Sequence, residues 1–467
     1  MGTISDKLMR IINTKEDIRQ ALISKGYDVP TSIPFKEYAK MISDLPCRVD
    51  SFPDIEGIVA RYSALGLTNE QMAANPVWVD KTGNGHDLQM KNFAWKEGSG
   101  ISDIYPGALV FDGVDDWAGC DNLPLLPKEK GYSIIALRNW ITRYDATQYK
   151  RPLISNLDTN DEGAFLIEYR KDENVNDVTG SYNSFTDVYI DDNNPITWQT
   201  SSSYNGQIIK KGTSKSTNKL CICKTYFGQL SNYANAAIWE IVILDHDATE
   251  EELTKIKDYF VKTYPWLFPD QAWTVTGKTN EDEDRATIAN ITGNGNDLVL
   301  SNLGFAEGSG YNEEGEYAGY LVTDGVDDKV QSSSFTMNED WTIVGDWELL
   351  SNVQINCGIV KAQNVYLYNI ANGLLISINN PRSLQSFGTK SLHAICSDGR
   401  LYDRNWVEYE YTVDQNFAIV ESSLDIGFNL NNYTQIAFKN LGIYNNQILS
   451  KDDCIKAYNY LQTLKAK

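Results

Sequence analysis

Two hydrophobic rhythms run along this chain. Short runs in which apolar side chains alternate or cluster over three to six residues recur through most of its length. Examples are Ser133 to Leu137, Phe165 to Tyr169, Val188 to Ile190, Thr342 to Val344, Val365 to Tyr368 and Gly373 to Ile378. Rich in β-branched and aromatic residues, they predict strands. Turn segments such as Asp191-Asp192-Asn193-Asn194-Pro195 separate them. The helical rhythm appears elsewhere. After Thr249 and Glu252, a capping pair, Leu253, Ile256, Tyr259 and Phe260 follow helical spacing; after Ser450 and Asp453, Cys454, Ala457 and Leu461 do the same.

Residues 1–46 differ in character. Ile4, Leu8, Ile11, Ile18 and Leu22 are spaced 4-3-7-4, with Lys15 at the missing step. That is a heptad-like seam able to pack against other copies in a short coiled coil. A competing reading breaks the helix at Asn13-Thr14 and begins a second at Lys15, ended by Gly26. Another then starts at Ile33-Pro34-Phe35 and puts Phe35, Tyr38, Ala39 and Ile42 on one face. The second reading, two or three small amphipathic helices, is preferred. A segment this small cannot bury a full core alone and is expected to dock on something. Pro46 to Pro53 reads as a linker.

Internal similarity organises the rest. TGNGHDL at 82–88 meets TGNGNDL at 292–298, an offset of 210. Asn92 and Asn302, and the GSG runs at 98–100 and 308–310, keep that offset; LVFDGVDDW at 109–117 and LVTDGVDDK at 321–329 shift it to 212. Each unit closes on an apolar strand and a capped helix, at 236–260 and 435–461. The expected domains are a helical leader (1–46), a first module (47–268) and a second (269–467). Many short strands with few helices imply a mainly β chain with two tandem sandwiches or jelly rolls. Asn84-Gly85, Asn294-Gly295, Asp112-Gly113 and Asp324-Gly325 read as turn dipeptides that supply positive φ. GNGHD is not a phosphate loop, because the Lys and Ser/Thr of that motif do not follow.

Composition then narrows the partners. The net charge is −22 over 467 residues. Such a surface repels phosphate backbones, so nucleic acid is excluded as a partner. The acid serves solubility, with divalent-cation binding in a few loops as the sharper reading. Seven Cys in no metal or disulfide spacing (Cys47, Cys120, Cys221, Cys223, Cys357, Cys396 and Cys454) read as reduced and mostly buried. No stretch is long and apolar enough to insert in a membrane, and the N-terminus does not read as a signal peptide. Synthesis in a cytoplasm without signal-directed export is therefore expected. The three His, His86, His246 and His393, stand in no metal spacing, and no G-x-S-x-G elbow occurs.

The TGNG-x-DL turn, the L-x-x-DGVDD strand and the closing strand with its capped helix resemble the concanavalin A-like, laminin-G-type jelly roll. In particular they resemble the versions in phage structural proteins and bacterial surface proteins. The string at 15–45, with Val29-Pro30 between its helices and Tyr38-Ala39 in the second, is similar to a leader of phage tail and virion proteins. The resemblance implies two stacked antiparallel sheets and glycan or protein binding on one face or at the loop rim. It also implies calcium in some relatives, for which Asp112, Asp115 and Asp116, and Asp324, Asp327 and Asp328, are the candidates by position; otherwise no cofactor is expected. Glycoside hydrolases of the wider superfamily carry E-x-D-x-x-E on one strand, whereas here Glu240 and Asp245 fall on opposite faces and the second module lacks both. Hydrolysis is therefore not expected. A glycan platform needs a planar aromatic beside polar groups; the candidates are Trp95, Trp140, Trp198, Tyr204 and Trp406, each of which also reads as packing. The expectation is a virion fibre or decoration protein, made in a host cytoplasm. Its leader would contact other virion proteins, its modules would meet a host surface glycan or protein, and it would form homo-oligomers, with a trimer favoured. A carbohydrate-binding protein of a bacterial surface is the alternative.

Overall fold

The computed structural model describes residues 15, 19, 52–126, 131–141, 150–158, 166–170, 196–200, 217–225, 227–228, 232–350, 357–362, 365–370, 373–378, 385–387, 392–410, 420–426, 428–429, 432–433 and 435–466. The chain divides into two compact units, Met1–Asp54 and Ile55–Lys467. In the first, Lys15 and Arg19 are helical. The seam and face positions Ile4, Leu8, Ile11, Ile18, Leu22, Phe35 and Tyr38 lie outside the described residues.

The second unit is mainly β, and its main sheets sort by sequence into two pairs. In the first pair, one sheet runs in the order Ile196–Thr200, Ser133–Trp140, Asn235–Leu244, Leu109–Asp112, Gly100–Ile101, with Ile58–Ser63 also on Asn235–Leu244. Its companion runs Val77–Trp78, Leu88–Lys91, Trp117–Cys120, Leu220–Ile222, Lys150–Ser155, Leu166–Arg170. The second pair repeats the plan. One sheet centres on Trp341–Leu349 and Ile436–Asn445, with Gln271–Thr274 taking the place of Ile58–Ser63; the other contains Leu298–Ser301, Lys329–Ser332, Leu424–Ile426 and Cys357–Ala362. All the strand pairings within these sheets are antiparallel.

Alternation along the strands makes each pair a sandwich. Ile134, Ala136, Ile238, Ile241 and Ile243 from one sheet meet Leu88, Met90, Ala118, Leu220 and Ile222 from the other in a single core. Trp273, Trp341, Trp347, Leu441 and Ile443 meet Leu298, Leu300, Val330, Leu424 and Ile426 in the second. The long closing strand of each sandwich carries a bulge at the same place. Trp239 is the unpaired residue in the first, and Lys439 in the second.

These closing strands are buried on both faces, because the helix that follows each folds back over the sheet's outer side. Glu250–Thr263 opens with a capping box between Thr249 and Glu252, and Lys451–Thr463 with Ser450 capping Asp453. The first helix buries Ile256, Tyr259 and Phe260; the second buries Cys454, Ala457, Tyr460 and Leu461. Between sheet and helix in the first sandwich lies a polar centre that alternation does not foretell. Glu240 is fully buried and takes both Arg61 Nε and Nη2 at 3.1 Å, with the Tyr259 and Tyr264 hydroxyls donating at 3.0 and 2.9 Å. Burial pushes the Glu240 carboxyl upward, against the pull of Arg61. Asn440 stands at the matching place on the second closing strand. Cys120, Cys221, Cys223, Cys396 and Cys454 are free and buried, as expected of reduced thiols.

The two sandwiches join through the turn Pro265–Leu267. Trp266 and Leu267 are buried, the Tyr444 hydroxyl donates to the Trp266 carbonyl at 2.9 Å, and the Lys456 ammonium lies 4.4 Å from the Trp266 ring centre. Removing one partner of the buried ion pair strands the other's charge. Arg61→Met should therefore cost about 3–5 kcal/mol in urea unfolding, and Arg61→Met with Glu240→Leu should recover most of that loss. Equal stability of the single and double variants would show that the pair is not the buried unit described.

Candidate functional site

The two repeat motifs are built as turns. At the first TGNG turn the Asp80 carboxylate accepts the backbone N–H of Arg61 at 3.1 Å, the N–H of Thr82 at 3.0 Å and the Thr82 hydroxyl at 2.8 Å. Asn290 does the same in the second copy, where its Oδ1 accepts from Ala272, Thr292 and the Thr292 hydroxyl. The motif therefore pins the first strand of each sandwich. The hub residue lies two positions before the string that marks the repeat, and the sequence reading missed it.

At DGVDD, Asp112 Oδ1 accepts the N–H groups of Val114, Asp115 and Asp116 at 2.8, 3.2 and 3.3 Å, and Asp116 Oδ2 accepts from Asp112 at 3.1 Å. Asp324 and Asp328 repeat the pattern. Gly113 holds φ 76° with its Cα against Asn235, where a Cβ would stand 2.8 Å away. The three carboxylates of each turn, Asp112, Asp115 and Asp116 or Asp324, Asp327 and Asp328, do lie within 4.8 Å of one another. One oxygen each of Asp112 and Asp116, and of Asp324 and Asp328, is however taken by backbone donors, and Asp328 also takes the Ser309 hydroxyl. Calcium takes six to eight oxygens, whereas each cluster offers three carboxylates of which two already cap backbone N–H groups, so the donor set fits turn capping better than a cation.

Burial pushes the Asp116 carboxyl up to about 6 from its ordinary 3.8, against the opposing pull of the Ser99 hydroxyl. The group's contribution to stability is thus full below about pH 4 and is lost as pH rises through 6. Asp112→Ala should cost about 1–2 kcal/mol through its unmet N–H groups, and millimolar calcium should leave the melting temperature unchanged. Asp116→Asn should flatten the loss of stability between pH 4 and 7. A calcium-dependent rise in melting temperature that Asp112→Ala abolishes would contradict this assignment.

The aromatic candidates separate on burial. Trp140 is 4% exposed within the first core and offers no face to a ligand, which corrects its reading as a platform. Trp95 packs against that core and stacks on Phe93 at 4.9 Å; Phe305, its counterpart, packs likewise against the second. Trp198 sits in the strand Ile196–Thr200, with its side chain outside the described residues; Tyr204 is also outside them.

Trp406 stands apart. It rides on a tight turn in which Asp403 Oδ1 accepts from Asn405 and Val407 at 2.8 and 2.9 Å, and its own N–H donates to the Asp403 carbonyl. Its backbone is left-handed, at φ 58°, a conformation uncommon outside glycine. The half-buried ring meets Tyr458 edge-on at 5.8 Å and His393 at 5.5 Å. His393 stacks on Tyr458 at 4.2 Å. Burial lowers the His393 imidazole below its ordinary value, so it is neutral near pH 7. Beside these rings, Asp346 Oδ2 accepts from the Tyr320 hydroxyl at 3.0 Å, the Tyr458 hydroxyl at 3.2 Å and Gln462 Nε2 at 3.0 Å. Exposed Arg404 pairs with Glu348 at the rim. Around the Trp406 turn, three elements supply the supporting groups: Trp341–Leu349 gives Asp346, Leu392–Cys396 gives His393, and the helix Lys451–Thr463 gives Tyr458 and Gln462. Of the members of this patch the sequence reading had found Trp406 alone, because the others are brought together only by the sheet order.

No protein-family model matches the chain, and no curated protein matches it. Among solved structures it is similar to a Trypanosoma rangeli sialidase in complex with sialic acid, at 11% identity and TM-score 0.31. That overlap covers 50% of this chain and 42% of the sialidase chain, less than half of its length. The binding domain of botulinum neurotoxin serotype D/C overlaps 84% of this chain and 99% of that one, at 8% identity and TM-score 0.30. At these values neither overlap carries an argument about function.

Proposed function

We propose that this chain is a non-catalytic glycan-contacting structural protein, of the fibre or decoration type carried on a phage particle. The Trp406 patch is its contact surface. One observation carries the reading: a tryptophan held on a rigid turn beside a carboxylate with three donors and a neutral imidazole. A pyranose presents a C–H face and a rim of hydroxyls, and such a patch supplies an apolar plane and hydrogen-bonding groups to match. The duplicated sandwiches serve as spacer and display, and residues 1–46 dock on other virion proteins and assemble the chain, with a trimer favoured. A purely catalytic reading gains no support from Glu240, which is buried under a helix in an ion pair, or from Asp245, which lies past the end of that strand.

A glycan array probed with the full chain should give a defined set of binders. Trp406→Ala should weaken the best of them about tenfold, the loss of one good aromatic contact. Unchanged binding by the variant, or no binder at all, would remove the patch from the proposal. Sedimentation of the full chain should give three times the monomer mass; a monomer would remove the assembly role.

A further inference from the structure

In the first sandwich the outer face of the sheet opposite the closing strand is open only in part: Gln89 and Lys91 are exposed and Trp117 is half-buried, whereas Gly119, Cys221 and Ser155 are buried. Ala118, Cys120, Leu88, Met90, Leu220 and Ile222 point into the core. Alternation therefore sends Gln89, Lys91, Trp117 and Gly119 to the outside. Lys91 is the cross-strand partner of Trp117, and Gln89 of Gly119. Gly119 lets the indole lie down on the strand: a Cβ there would stand 2.7 Å from the Trp117 ring and 3.2 Å from Phe227. The half-buried Trp117 ring is braced edge-on by Phe227 at 5.6 Å.

Lys224 lies against this ring, its Nζ 4.0 Å from the Trp117 ring centre. The residue is only 6% exposed. Its ammonium has three donors, yet its one hydrogen bond among the described residues is a long 3.5 Å contact to the Phe227 carbonyl. No carboxylate pairs with it among the described residues; the neighbouring Lys219 takes Asp121 at 3.9 Å. Burial lowers the Lys224 ammonium below its ordinary value. Buried charges are ordinarily paired. In a chain of net charge −22, a buried lysine without an acid is unexpected unless something else brings the negative charge.

The second sandwich shows the same face closed. There DGVDDK replaces DGVDDW, so Lys329 and Gln331 stand where Trp117 and Gly119 stand in the first copy. Gln331 Nε2 donates to Asp425 Oδ1 at 2.7 Å across the sheet, so that face pairs its own polar groups.

We propose that the Trp117 face of the first sandwich binds an acidic saccharide, with the Trp117 ring under a pyranose and the Lys224 ammonium taking the sugar carboxylate. This site is separate from the Trp406 patch and does not depend on it.

The test is calorimetry on the full chain with three probes: a galacturonate trimer, a galactose trimer and galactose 6-sulfate. The galacturonate should bind at least about tenfold tighter than the neutral trimer, an advantage that falls as salt rises. Lys224→Met should erase that advantage while leaving the melting temperature unchanged or higher, because it removes an unpaired buried charge. Trp117→Leu should weaken both trimers, and Trp406→Ala should change neither. Equal affinity for the acidic and neutral trimers, no binding by any probe, or full binding by Lys224→Met would overturn the proposal. Tighter binding of the sulfate would overturn the carboxylate assignment. Loss of galacturonate binding in Trp406→Ala alone would place the ligand on the other patch.

Discussion

Each sandwich depends on one strand that is buried on both faces. Asn235–Leu244 and Ile436–Asn445 present one row of side chains to the core and the other to a helix that folds back over them. A strand of this kind must be apolar throughout or must pair whatever polar group it carries. The first copy pairs Glu240 with Arg61 and two tyrosines. Covering one sheet in this way decides where ligands can sit. The covered face is closed, which among the described residues leaves the rims beside the helix and the exposed part of the other sheet's outer face. The Trp406 patch lies at a rim and the Trp117 face on the other sheet.

Duplication separates what the fold needs from what one copy can spare. The carboxylate and amide hubs at Asp80 and Asn290, the capped DGVDD turns, the bulges at Trp239 and Lys439 and the capped helices occur twice, in matching places. They fix register and strand ends, which both copies require. Surface residues differ between copies. Trp117 and Gly119 become Lys329 and Gln331, so a residue present once does not serve the shared frame.

The fold class was legible because it rests on local patterns. Alternating runs, tight-turn dipeptides and two capping pairs each record a short-range constraint, and the repeat records the same constraints a second time. What alternation could not supply is the company of a side chain across the sheet. Trp140 and Trp406 look alike in sequence, yet one fills the core and the other stands on a turn. Asp346, His393 and Tyr458 are far apart in the chain and meet through strand order and helix placement. Trp117 was passed over because it ends a motif read as a turn, and Lys224 because a lone lysine near cysteines carries no pattern.

Hydrogen–deuterium exchange on the full chain tests most directly whether a doubly buried strand anchors each copy. Amides of 236–244 and 436–444 should be the slowest to exchange in their respective sandwiches, with protection approaching the global stability. Exchange of either strand at the rate of the rim loops would contradict the claim that it holds its sandwich together.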